Sequence, residues 1–218
     1  MNQKDKITKE KLEKSGVKKI GEFRIFLDIL LGKGCYGEVF LAMKCIPNKQ
    51  ISLTNDIFYA AKTINKKAIS TDPEKLQKFE EKVFQEIFIL KKLQHPNIVN
   101  LIDVRSTENR FYLIFEYCSG GTLDSYRKSK GVDAVLQEAE ALEITRQIAD
   151  AMLFCVNRKE PIIHRDLKPA NILLEGGKVK ISDFGFARLV DNVKDKLKLT
   201  TNIGLLNKFS LNFLIFLM

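Results

Sequence analysis

The chain has 218 residues, enough for one large domain or two small lobes. Charged residues at 29% and hydrophobic residues at 45% describe a soluble globular protein, and a fold of this length can bury roughly 70% of its unfolded surface. The net charge of +9 is partly local, and the basic start of the chain has no apolar run of the kind a secretory signal requires.

Residues 1–20 hold seven lysines against Asp5, Glu10 and Glu13. Through residue 21 the expectation is a solvated, frayed, basic leader; an anionic membrane surface or an acidic partner is the alternative. "FRIFLDILLGKGCYGEVFLAMKC" is rich in Phe, Ile, Leu and Val and is broken by glycines, so it reads as two strands around a glycine-rich turn. "DIFYAAKTIN" is a third strand. The period then changes. "TDPEKLQKFEEKVFQEIFILKKL" opens with Asp72 as an N-cap and Pro73 at the first helical position, with Val83, Ile87 and Leu90 at helical spacing. "IVNLIDVRSTENRFYLIFEYC" supplies two more strands, which makes five strands and one helix. A composition break at Cys118–Gly121 marks a hinge. Beyond it, "EAEALEITRQIADAMLFCVN" reads as a helix starting near Glu138, with Leu142, Thr145, Ile148, Met152 and Cys155 along one stripe. Short strands and loops follow in "IIHRDLKPANILLEGGKVKISDFG". Cys35, Cys45, Cys118 and Cys155 form no CxxC pair, which fits free thiols in the cytosol or nucleus better than a disulfide frame or a zinc site.

Three stretches carry chemistry. The run Leu31, Gly32, Lys33, Gly34, Cys35, Tyr36, Gly37, Glu38, Val39 matches G-x-G-x-x-G-x-V. Its glycines let a strand turn lie close over phosphates with backbone N–H groups pointing in. Taken alone, such a turn is equally a plain hairpin. Strands on both sides argue against a dinucleotide-type turn, which opens a helix. Lys62 ends "AAK" on the next strand, where an unpaired ammonium is costly, so it needs an acidic partner or a phosphate. Glu86, on the helix turn that also carries Ile87 and Leu90, can supply the partner. "HRDLKPAN" then gives His164, Arg165, Asp166, Lys168 and Asn171, and "DFG" gives Asp183, Phe184 and Gly185.

Glycine-rich loop, strand lysine, helix glutamate, HRDxxxxN and DFG, in this order and spacing, resemble the eukaryotic protein kinase family from about Phe23 to Thr200. The resemblance implies an α+β, two-lobe fold. Residues 22–117 would form an N-lobe with a five-stranded antiparallel sheet and a helix, and residues 118–200 part of a mainly helical C-lobe. It implies ATP and Mg²⁺ as cofactors. Gly32, Gly34 and Gly37 would cover the phosphates, Lys62 would grip the α- and β-phosphates, and Glu86 would pair with it. Asp166 would orient the substrate hydroxyl and accept its proton, Lys168 would stabilise the transferred group, and Asn171 and Asp183 would hold Mg²⁺. Phe115 matches the gatekeeper position. Backbone groups of Glu116 and Cys118 would meet the adenine edge, with Val39, Ala60 and Leu173 around the ring. Leu90, Leu101, His164 and Phe184 match the apolar column that aligns the lobes. "LKPAN" resembles the serine/threonine class, so the expected partner is a protein carrying Ser or Thr, with a regulatory protein as a further one, no nucleic acid and no membrane contact. "DFGFAR" with "EYCSGGTL" is similar to the autophagy-initiating subfamily; calcium/calmodulin-dependent kinases share most of these residues.

The likeness also has departures. "CIPNKQISLTND" lengthens the hairpin before Lys62, and Cys35 takes a position where the family has Ser, Thr, Phe or Ala. After Leu199 nothing matches the family's peptide platform, and residues 201–218 form an apolar tail. It is too short to span a bilayer, for which ~20 apolar residues are needed. The expectation is a non-native ending on a C-terminally truncated kinase domain, with a docking helix as the alternative. Thr200 and Thr201 are phosphosite candidates by position. The functional expectation is ATP-dependent protein serine/threonine kinase. The competing reading is a non-catalytic nucleotide-binding regulatory module or an inactive fragment.

Overall fold

The computed structural model describes residues 7–34, 37–45, 56–66, 72–131 and 136–189. Cys35, Tyr36, most of the long hairpin, Thr200, Thr201 and the apolar tail lie outside the described residues. The chain divides into two compact units. One holds residues up to Ile87 with Asn100–Ser119; the other holds Phe88–Val99 and the chain from Gly120 onward.

From residue 7 onward the leader differs from the solvated, frayed segment expected. Lys9–Lys14 form helix α1 and Val17–Ile20 form strand β1. Thr8 caps α1 by accepting the Lys11 N–H at 3.2 Å. The helix turns Leu12 inward to 1% exposure, while Lys14 stays outside on Glu10. One buried leucine among "KEKLEK" gives too weak a period to be read as an amphipathic helix.

The five expected strands are present as Phe23–Gly34 (β2), Gly37–Lys44 (β3), Phe58–Asn65 (β4), Leu101–Ser106 (β5) and Arg110–Glu116 (β6). With β1 they form a six-stranded antiparallel sheet in the order β1-β2-β3-β4-β6-β5. Alternation along the strands sends apolar residues to both faces. Phe23, Ile25, Phe40, Ala42, Ala61, Tyr112 and Ile114 cluster on one face with Ile20. Phe26, Ile29, Leu41 and Met43 cluster on the other with Ile7 and Leu12. Each large side chain buried in this way contributes about 1.5–3 kcal/mol.

Helix α2 spans Pro73–Lys92. Asp72 caps it by accepting the Glu74 N–H at 3.0 Å, as the sequence led us to expect. Val83, Ile87 and Leu90 are all buried. Lys66 reaches Glu80 at 3.0 Å, and Phe84 meets the edge of Phe111 with ring centroids 5.6 Å apart. These contacts tie α2 to β4 and β6.

The second unit contains Leu123–Ser129 (α3), Glu138–Val156 (α4), Ile162–Ile163 (β7), Ile172–Glu175 (β8), Lys178–Ile181 (β9) and Arg188–Leu189 (β10). The strands pair as β8 with β9 and β7 with β10. Helix α3 begins with a reciprocal cap, Ser125 N–H to Thr122 Oγ1 at 3.0 Å and Thr122 N–H to Ser125 Oγ at 3.1 Å. Helix α4 starts at Glu138 as expected, but its buried stripe is rotated. Ala141, Ile144, Gln147, Ile148, Ala151, Met152 and Cys155 face inward, whereas Leu142 is 49% exposed. The cause is polar. Gln147 Oε1 accepts from Val179 N–H at 2.9 Å and from Asn97 Nδ2 at 2.8 Å, which turns an apparently outward residue into the core.

Candidate active site

In the first unit, Lys62 stands on β4 between Val39 of β3 and Leu113 of β6. Its Nζ lies 3.0 Å from Glu86 Oε1 of α2, and the two side chains are 10% and 8% exposed. The ion pair expected from strand lysine and helix glutamate is therefore formed, in a setting where solvent screens it little. Period-two alternation sets Ala60 on the same face of β4 as Lys62, with Val39 and Leu41 opposite them on β3.

The glycines of the β2–β3 hairpin have different reasons to be glycine. A Cβ on Gly37 would lie 1.8 Å from the Thr63 carbonyl oxygen, so the neighbouring strand requires its absence. Among the described residues, a Cβ on Gly32 would meet nothing within 4 Å, and one on Gly34 would make an ordinary contact with Gly37 at 3.7 Å. Among those same described residues, nothing excludes a side chain at those two positions. Lys33 and Glu38 bridge the hairpin at 3.1 Å, but at 70% and 45% exposure the pair stabilises little.

Phe115 on β6 pairs with Ala60 of β4. Glu116 donates its N–H to the Asn100 carbonyl at 3.0 Å, and its carboxylate accepts the Asn100 N–H at 2.7 Å. Cys118, two residues on, is buried. Leu101 lies on β5.

In the second unit, "HRDLKPAN" and "DFG" form one hydrogen-bonded network. Asn171 Nδ2 donates to the Asp166 carbonyl at 2.8 Å and to Asp166 Oδ2 at 3.0 Å. Lys168 Nζ lies 2.8 Å from Asp166 Oδ2 and 3.1 Å from Oδ1. Ser182 donates its N–H and its hydroxyl to the Asn171 carbonyl at 2.8 and 3.0 Å. Ser182 belongs to no motif of its own; its place directly before DFG is the signal for it. Arg165 (φ 66°) and Asp183 (φ 60°) both adopt left-handed backbone, a strain of about 1–3 kcal/mol each that typically gathers at functional sites. Leu173 stands on β8, opposite Lys180 of β9, and forms a bridge to Thr122. Gly120, inside the Cys118–Gly121 break, is also fixed by packing. Its N–H donates to the Leu174 carbonyl at 2.9 Å, and a Cβ there would lie 2.6 Å from that oxygen.

The electrostatics follow from these contacts. Lys168, and after it Asn171, hold the Asp166 carboxyl below the usual carboxylate range by hydrogen bonding its charged form. Burial lowers the His164 pKa. The His164 Nδ1 accepts the Asp166 N–H at 3.2 Å and Nε2 lies 2.9 Å from the Ser182 carbonyl, so the neutral ring with its proton on Nε2 satisfies both. Phe184, 1% exposed, packs edge-on against that ring at 4.5 Å.

Among the described residues, no three His, Cys, Asp or Glu side chains form a metal-holding group. Asn171 and Asp183 offer hard oxygen donors. That suits Mg²⁺, which takes one or two carboxylates and completes its shell with water and phosphates. Among the described residues, no helix is long and apolar enough to cross a membrane.

Residues 27–206 match the family model described as protein kinase domain. The chain is 36% identical over 174 residues to "Serine/threonine-protein kinase tousled-like 1" of Mus musculus and equally to that of Homo sapiens. Each match covers 78% of this chain and 21% of the relative, so the chain spans about a fifth of the relatives' length. These relatives bear the tousled-like name, whereas "DFGFAR" with "EYCSGGTL" is similar to the autophagy-initiating subfamily. With the family model covering most of its length, the chain belongs to the protein kinase family.

Proposed function

We propose that the chain carries the nucleotide site and catalytic loop of a protein serine/threonine kinase that transfers the ATP γ-phosphoryl group to protein hydroxyls. The observation that carries this reading is the Asp166 network: a carboxylate fixed by Lys168 and Asn171. Phosphoryl transfer needs positioning and charge neutralisation rather than covalent catalysis. Asp166 is a weak base because its charged form is stabilised. It serves by accepting a hydrogen bond from the substrate hydroxyl, holding it in line, and taking the proton late. Lys168 turns from Asp166 toward the transferred group as negative charge builds there.

The sheet-borne residues suit the nucleotide. Gly32 and Gly34 leave room for phosphates against bare backbone, and Lys62, held by Glu86, offers a desolvated cation. The Glu116 N–H is already engaged by Asn100, so the adenine amino group would meet the Glu116 carbonyl. Val39 and Ala60 would pack against the ring from the sheet, with Phe115 and Cys118 beside it. Asn171 and Asp183 would hold Mg²⁺, which when bound neutralises phosphate charge. The Asn171 amide nitrogen is spent on Asp166, so its oxygen end is the one presented to the cation. The family resemblance and the two tousled-like relatives support the serine/threonine class and a protein substrate. Cys45 and Cys155, free thiols among the described residues, accord with a reducing compartment such as the cytosol.

The test is transfer of radiolabelled γ-phosphate from Mg·ATP to a generic protein substrate, followed by phosphoamino-acid analysis, beside Asp166→Asn. Phosphoserine or phosphothreonine from the wild type and none from the variant is expected. Undiminished transfer by the variant overturns the role of Asp166. Mg·ATP binding without transfer favours the non-catalytic module, and no binding by a folded chain overturns both.

A further inference from the structure

We propose that the leader Ile7–Ile20 is a positioning element for the nucleotide site, acting through the cluster in which Leu12 is buried to brace Leu31 and the glycine hairpin that follows; this rests on the nucleotide-binding reading above.

Three observations carry it. First, the leader is clamped to β2 just ahead of the glycines. Val17, Lys18, Lys19 and Ile20 pair with Phe26, Ile25, Arg24 and Phe23. Gly16 accepts the Leu27 N–H at 2.9 Å and donates to Asp28 Oδ2 at 2.7 Å, while the Asp28 N–H donates to Ser15 Oγ at 3.2 Å. Second, β2 loses regular pairing with β3 immediately afterwards, with register shifts between Phe26 and Leu30 and again between Leu30 and Gly32. A bulged strand is held by fewer ladder bonds, so its side chains must fix its height. Ile29 and Leu31 do so by packing into the cluster that holds Ile7 (7% exposed) and Leu12 (1%).

Third, this cluster lies on the nucleotide face. Met43 pairs with Phe58, Leu41 with Ala60 and Val39 with Lys62, in one unbroken register. Leu41, Met43 and Phe58 belong to the leader's cluster, whereas Phe40, Ala42, Tyr59 and Ala61 belong to the opposite one. Tyr117, adjoining Cys118, also packs against the leader's cluster. The leader therefore supports, from one side, both the strand that begins the glycine hairpin and the residue beside the proposed adenine contact.

The experiment compares the 218-residue chain with Leu12→Ala, Leu12→Met and, on the opposite face, Ile25→Val. Binding of a fluorescent ATP analogue with Mg²⁺ is measured, together with amide hydrogen exchange over Leu31–Gly34. Leu12→Ala is expected to weaken binding on the order of tenfold, since loosely held sites lose affinity steeply, and to speed exchange in that segment. Leu12→Met restores both, and Ile25→Val changes neither. Should Leu12→Ala not fold, Leu12→Val takes its place. Wild-type affinity in the Leu12 variant, or equal loss in Ile25→Val, overturns the proposal. If the wild type binds no nucleotide, the functional reading fails instead. The exchange arm then decides alone, and unchanged exchange at Leu31–Gly34 overturns the brace.

Discussion

Lys62 and Glu86 meet at 3.0 Å with their side chains 10% and 8% exposed, joining β4 to α2. A pair desolvated to this degree contributes little net energy when intact, yet is costly to break from one side. Glu86→Ala should lower the unfolding free energy by about 3 kcal/mol, whereas Lys62→Met with Glu86→Leu should recover most of that loss. Urea denaturation of the singles and the double measures the coupling. The double should fold and still transfer no phosphate, which separates the structural from the chemical role of the pair.

Asp166→Asn keeps the size of the side chain but removes its charge. Transfer should fall by roughly 10²–10⁴-fold, the range for a positioned acid–base group, while Mg·ATP affinity stays near wild type. Because hydrogen bonding from Lys168 is the largest cause of the low Asp166 pKa, Lys168→Ala should raise it. The sign for stability follows. A carboxyl whose folded pKa is depressed favours the fold above its unfolded value near 3.8, and that contribution is lost as pH falls through the folded pKa. Carbon-detected NMR titration of Asp166 in both forms checks the direction.

His164 predicts a pH dependence nearer neutrality. Burial is the main cause of its low pKa; Ser182, Asp183 and Asp166 oppose the shift and Lys168 adds to it. The folded state thus holds the neutral ring while the unfolded chain protonates near 6.5. Stability from this residue is fully present above that value and declines as pH drops through it toward the lower folded pKa. Urea midpoints at pH 7.5 and 5.5 should show the decline, and His164→Phe should show less of it. Equal slopes in both proteins would place the acid sensitivity elsewhere.

Burial pushes the Cys155 thiol up to about 12, so almost no thiolate exists at pH 8. Iodoacetamide should leave Cys155 unmodified in the native chain and label it after urea unfolding. Peptide mass mapping reads the difference, and rapid native labelling of Cys155 would contradict its place on the buried face of α4.

Much of the sheet and the catalytic loop was legible because the signals are local. Period-two apolar runs mark β2 to β6, Asp72-Pro73 marks the start of α2, and HRDxxxxN with DFG fixes residue types at set spacing. What escaped reading depends on contacts distant in sequence. Helix α1 and β1 exist because Leu12 and Ile20 find apolar partners on the sheet, which the lysines around them conceal. The stripe on α4 bypasses Leu142 because Gln147, polar by type, is drawn inward by Asn97 and Val179. Gly120 looks like an ordinary linker residue until Leu174 is seen against it.

The glycine hairpin gives the sharpest separation of fold from function. At Gly37 an added Cβ would collide with the Thr63 carbonyl oxygen at 1.8 Å, and backbone in a paired strand cannot yield cheaply. Gly37→Ala should therefore force β3 and β4 apart and cost about 1–3 kcal/mol or more, the range for overpacking. At Gly32 the same methyl group meets nothing within 4 Å among the described residues, so Gly32→Ala should hold stability within about 0.5 kcal/mol. If phosphates lie against that bare backbone, the methyl group takes their space, and Mg·ATP affinity should fall on the order of tenfold. Thermal melts and titration calorimetry on the two variants give four readings. Lost stability at Gly37 with retained stability and lost affinity at Gly32 is the pattern expected. Full affinity in a well-folded Gly32→Ala protein would mean that the hairpin does not cover the phosphates.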